Sequence, residues 1–132
     1  MHLHRLLAIF LVPLAVFAAE EKKPSASAAP KPKQWLYVLH LVPRLHDDQA
    51  WTEADQAAVG RHFAHLQAAT KEGRVILAGR TAEPGEKTFG LVIFEAPDEG
   101  AARTFMNSDP SILEQVMTAE LHPYQIALLR KG

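Results

Sequence analysis

The side chains in this sequence best suited to chemistry are its histidines. There are seven, and no cysteine at all. A thiol nucleophile, a disulfide framework and a lipid anchor on cysteine are therefore excluded. Imidazole changes charge near neutral pH and can take or return a proton during a reaction. His62 is the best candidate of the set. It lies in Arg61 to Arg80, RHFAHLQAATKEGRVILAGR, which reads as the back half of an amphipathic helix, a turn at Gly73 and a short buried strand. At about 100° per residue, Val59, Phe63, Leu66 and Thr70 share a narrow arc that is expected to face the core. His62 falls on the flank of that arc, where its ring can reach over a sheet edge. His65 falls further round, towards solvent. The competing account of His62 is a purely structural flank histidine.

The other polar candidates carry weaker patterns. His40 sits in an apolar run and points either into a pocket or outward. His122 precedes Pro123. His40, His62 and His122 have neither HxxxH nor HExxH spacing, and no acid completes a set around His62 and His65, so no metal site is expected. There is no glycine-rich phosphate loop and no G-x-S-x-G stretch. Trp35, Trp51 and Phe105 read as core or dimer residues. Asp109 stands directly before Pro110, a common way to cap and start a helix.

The elements that position these residues follow a simple order. Trp35 to Val42 is a first strand, apolar on both sides and so central. Thr52 caps a helix that runs to about Glu72, with Glu53 and Asp55 in its first turn. Arg74 to Gly79 and Thr88 to Ala96 are the next strands, joined by the turn-rich TAEPGEK. A second helix spans Glu99 to about Asn107. It is broken at Asp109-Pro110 and restarts from Pro110 to about Thr118. Tyr124 to Leu129 is the expected last strand. This βαββαβ order is the ferredoxin-like plan of the α+β class, an antiparallel sheet with its helices on one face. The strands carry apolar residues on both sides, so a homodimer that buries the bare face is expected.

The N-terminus reads as targeting rather than fold. Met1 to Arg5 is short and basic, Leu6 to Phe17 is almost wholly apolar, and small residues follow at Ala18 and Ala19. That is the layout of a secretory signal peptide over residues 1–18. The apolar run of roughly 14 residues is short of the ~20 needed to span a bilayer, so no stable membrane anchor is expected after processing. The product is expected in the periplasm or secreted. Residues 19–33, AEEKKPSASAAPKPK, cannot bury apolar area and read as a disordered linker. The folded domain then covers residues 34–132. With 14 basic against 15 acidic residues, the chain has no basic surplus for nucleic acid.

The run His62-Phe63-Ala64-His65-Leu66, then Glu72-Gly73-Arg74, Ala78-Gly79 and Asp109-Pro110, resembles the YCII-related family in order and spacing. The resemblance covers Trp35 to Leu129. It implies a dimeric α+β barrel built from ferredoxin-like protomers. It also implies an active histidine–aspartate pair, which falls by position on His62 and Asp109. One branch of the family removes chloride from a chlorinated hydroxyquinol. An aspartate on the far ring nitrogen would hold the histidine tautomer and stabilise the imidazolium. One carboxylate oxygen of Asp109 can cap a helix while the other meets the imidazole. Two features depart from the family. Arg80 stands where proline is usual, which would reshape the pocket mouth or add a charge for an anion, and the signal peptide is atypical. The expected function is a small-molecule enzyme of lyase, isomerase or dehalogenase type that needs no cofactor. His62 and Asp109 are its acid/base pair, and His40 and Arg80 its substrate contacts. The alternative is a non-catalytic dimeric module for ligand binding or assembly.

Overall fold

Trp35, Tyr37 and Leu39 alternate with Leu36, Val38 and His40, and this period of two makes β1 (Lys33–Leu41) a strand with one fully buried face. The computed structural model describes residues 31–132. The expected signal peptide and residues 19–30 of the expected linker lie outside the described residues. Strand β1 begins at Lys33, two residues earlier than its apolar run. It pairs on both sides with antiparallel strands and is central, as its composition implies.

Helix α1 (Glu53–Lys71) starts in a reciprocal capping box. The Thr52 hydroxyl accepts from the Asp55 amide at 3.2 Å, and the Asp55 carboxylate accepts from the Thr52 amide at 2.9 Å. Arg44 closes a bidentate fork on the same carboxylate. The helix stops at Glu72, and Gly73, at φ 81°, takes the left-handed turn. Strands β2 (Val75–Arg80) and β3 (Phe89–Ala96) follow, then α2 (Glu99–Asn107), the single turn α3 (Pro110–Leu113) and β4 (Met117–Tyr124). The sheet order is β2-β3-β1-β4, antiparallel throughout. This is the α+β, ferredoxin-like arrangement, with the helices on one face.

The core lies between that face and the helices. Tyr37, Val92 and Phe94 are almost fully buried there, with Phe105 of α2 packed on Tyr37 and Phe94 at ring separations of 6.3 and 4.8 Å. The opposite sheet face carries Leu36, Val38, Leu91 and Ile93 and has no helix over it.

Three expectations are corrected. The last strand is Met117–Tyr124, not Tyr124 to Leu129, and the restarted helix ends at Leu113 rather than near Thr118. Gln115 adopts φ 58° and reverses the chain. Thereafter Met117, Ala119 and Leu121 turn inward while Thr118, Glu120 and His122 face out, the alternation of a half-buried strand. Pro123 is tolerated because β4 is an edge strand. Residues 125–132 form no regular element, and Leu128 and Leu129 are exposed. Helix α1 is also turned about its axis from the expected setting. Its inward stripe is Asp55, Ala58, His62, His65, Leu66 and Ala69, while Phe63 is 66% exposed. His65 consequently stacks on Phe105 at 5.3 Å instead of facing water.

Candidate active site

The site begins with the break that Pro110 forces. With no amide hydrogen to offer and its φ pre-set, Pro110 opens α3 and leaves Asp109 as the capping residue. The Asp109 carboxylate turns back on its own turn. Its Oδ1 accepts from the Ser111 amide at 2.9 Å and from the Ser111 hydroxyl at 2.8 Å. From the sheet side, the Tyr37 hydroxyl donates to Oδ2 at 2.8 Å. From α1, His62 Nδ1 lies 2.7 Å from Oδ1 and 2.9 Å from Oδ2. The carboxylate is completely buried. It thus cap-bonds a helix and meets an imidazole at once, drawing donors from β1, α1 and α3.

A buried carboxylate is costly unless its oxygens are satisfied. Burial pushes the Asp109 carboxyl up. The hydrogen bond and charge of His62, then the bonds from Ser111, outweigh that and hold it below the ordinary carboxylate value. The phenol of Tyr37 is driven far above its usual range by burial first and by the adjacent Asp109 second, so it stays a donor. An ionised Asp109 accepts hydrogen bonds only. His62 must then carry a proton on Nδ1, which leaves Nε2 as the nitrogen available to a ligand.

His62 lines a cavity of about 1010 Å³ between α1 and strands β1, β2 and β3. Most of its wall is apolar, with Leu39, Leu66 and Val92 among the lining residues, and Arg80 lines it as well. Asp109 does not line it and could reach a ligand only through the His62 ring. His40 is not brought to this cavity. It is an exposed residue on the opposite face of the sheet, with its ring 6.1 Å from that of Phe89. The candidate substrate contacts therefore reduce to Arg80. Among the described residues, no cluster of three or more histidine, aspartate or glutamate side chains is spaced to hold a metal.

Two members of the network were missed in the sequence. Ser111 could have been found, since a hydroxyl two residues after a capping aspartate is well placed to bond it. Tyr37 could not, because it is 72 residues from Asp109 and nothing local marks it out from other strand aromatics.

The network has a measurable consequence in acid. The folded-state pKa of Asp109 lies below the unfolded value of ~3.9. Its carboxylate thus stabilises the fold above that pH, and the contribution is lost as pH falls through the folded value. Urea denaturation at stepped pH should show the wild type losing stability more steeply below about pH 4 than Asp109→Asn. At pH 7 the same substitution is expected to cost about 3 kcal/mol, because an amide nitrogen cannot accept from the surrounding donors. Tyr37→Phe, which removes one donor, should cost about 1 kcal/mol. Equal pH profiles for wild type and Asp109→Asn would contradict this account.

Comparison with known proteins agrees with the fold. The sequence matches the family model of the YCII-related domain over residues 37–120. No curated protein matches it significantly. Among solved structures it is similar to TftG, the 5-chloro-2-hydroxyhydroquinone dehydrochlorinase of Burkholderia phenoliruptrix AC1100, in complex with 2,5-dihydroxybenzoquinone. That likeness has a TM-score of 0.50 and 16% identity, and covers 70% of this chain and 93% of TftG. A second similar structure is MtbAldR, with a TM-score of 0.46 and 14% identity, covering 76% of this chain and 58% of that one. The family match spans Tyr37, His62 and Asp109 alike, and the chain belongs to the YCII-related domain family.

Proposed function

We propose that the chain is a cofactor-independent small-molecule enzyme of lyase, isomerase or dehalogenase type, with His62 as its acid/base group. One observation carries the reading. The His62 ring is held at Nδ1 by a buried carboxylate and lines a largely apolar cavity. In the proposed reaction, Nε2 takes a proton from a phenol or from a carbon beside a carbonyl. The imidazolium so formed is stabilised by Asp109, which keeps its own proton off and acts as a positioning group. The proton then returns to the product or leaves to solvent. TftG is a dehydrochlorinase that binds a dihydroxybenzoquinone, and loss of hydrogen chloride is chemistry that a positioned base serves. That supports hydroxylated ring compounds as the first class to try.

Turnover should be screened on hydroxylated aromatics, lactones and chlorinated hydroquinones, with chloride release as one readout. His62→Ala should lower turnover by roughly 10²–10⁴-fold. It also removes a donor from the buried Asp109 and should lower the melting temperature, so turnover is compared at a temperature where both proteins are folded. A variant as active as the wild type would end the acid/base role. Saturable binding across the panel with no turnover would favour the ligand-binding module instead.

Self-association belongs to the same proposal. Leu36, Val38, Leu91 and Ile93 form an apolar strip across the uncovered sheet face, and apolar patches of this kind mark association surfaces. Two copies packed face to face would bury it. Light scattering at micromolar concentration should report about twice the protomer mass, and Val38→Asp should halve it. A well-folded wild-type monomer would sink the idea.

Export is supported by the N-terminal pattern alone. Mass spectrometry of protein from a secreting host should find a mature chain beginning near Ala19. Intact Met1 in the membrane fraction would point to an uncleaved anchor.

A further inference from the structure

We infer that Arg80 makes the cavity selective for a ring substrate that bears a carboxylate in addition to the proton that His62 removes. This deepens the proposed acid/base reading of the cavity and rests on it. The register fixes where Arg80 stands. It pairs with Gly90, which pairs in turn with the inward-facing Leu39. Arg80 therefore starts from the helix-covered side of β2, and it lines the same cavity as His62. Among the described residues it enters no ion pair, so its guanidinium is uncommitted.

The floor beside Arg80 is built to leave space. Gly90 has no side chain, and a Cβ there would sit 3.4 Å from both Cβ and Cδ1 of Leu39. Ala78, paired with the inward-facing Val92, continues the same low floor.

The register also sets Arg80 apart from the Asp109 network. Tyr37, which bonds Asp109 beneath His62, pairs with Val92, and Val92 pairs with Ala78. Arg80 is thus two strands across and two residues along from Tyr37, roughly 12 Å between backbones at ordinary strand spacing and rise. The cavity that His62 and Arg80 share, about 1010 Å³, has room for a single substituted ring. The apolar walls at Leu39, Leu66 and Val92 would cover its faces.

The charge balance selects the anion. Two fixed charges line the cavity, Arg80 and Asp48. A phosphate dianion would meet one cation and one acid. A carboxylate carries a single charge, and its geometry matches the guanidinium fork.

The test uses the full mature chain and two matched probes, 2,5-dihydroxybenzoate and its methyl ester, titrated by calorimetry and followed by amide NMR shifts. The wild type should bind the acid roughly tenfold more tightly than the ester, as one charge-assisted contact at a partly wet rim would give. The preference should weaken with added salt. Arg80→Gln should abolish it, bringing the affinity for the acid down to that for the ester, and Arg80→Lys should keep only part of it. Circular dichroism checks that the variants stay folded. If acid and ester bind alike to the wild type, or if the preference survives in Arg80→Gln, the inference on Arg80 is wrong and the cavity reading stands. If neither probe shifts cavity residues at millimolar concentration, both fall. If His62→Ala stays active while the acid preference persists, the acid/base reading alone fails.

Discussion

The constraint on which the rest depends is one buried negative charge. Asp109 has no exposure to water, and a carboxylate in that position must receive hydrogen bonds from every direction. Its donors come from β1 through Tyr37, from α1 through His62, and from its own turn through Ser111. Three elements far apart in sequence are tied to one point. Loss of any donor would leave charge uncompensated in the core, so the angle and rotation of α1 against the sheet are tightly specified. Arg61 of α1 adds a fork to Glu114 just beyond α3. That pair is exposed, and its contribution is small beside the buried one.

The rotation of α1 decides the shape of the cavity. With His62 turned in to meet Asp109, the small residues Ala58 and Ala69 share the inward stripe. Phe63 moves out to the cavity wall and Leu66 stays in. A helix seated on its bulkiest residues would have filled the space beside the sheet. Here the requirement of a polar contact overrides the burial of a phenylalanine, which by itself would stabilise by about 1.5–3 kcal/mol. Ala78, Gly79 and Gly90 complete the opening from the sheet side. The same geometry leaves His65 with a buried Nε2 that has no hydrogen-bond partner among the described residues, its ring stacked on Phe105.

The two faces of the sheet serve different ends. On the covered face, Trp35, Tyr37, Leu39, Val92 and Phe94 make the core. The bare face repeats an apolar pattern on the same strands. β1 and β3 are central, so alternation places their intervening residues on a surface with no helix to cover it. His40 belongs to that surface, which is why it has no part in the cavity.

Much of the architecture was legible in the sequence because it rests on local rules. Short apolar runs mark β1 and β3, Thr52 and the acids after it mark the start of α1, Gly73 marks its end, and Pro110 marks the break after α2. Those signals are short-range, and their order already implies a ferredoxin-like sheet. The alternation from Met117 to His122 was also present. The apolar run near the C-terminus drew the expected strand away from it. The position of Asp109 before a helix-breaking proline could be read as well. What only the tertiary structure decided is which face of α1 turns inward, which side of β1 holds His40, and that Tyr37 and Ser111 join His62 around one carboxylate. The apolar contrast around α1 is too weak to set its rotation, and the residues that do set it are 47 and 72 positions apart in the pairs concerned. Their attraction exists only once the sheet has formed and water has left the space between them, and no local pattern encodes that.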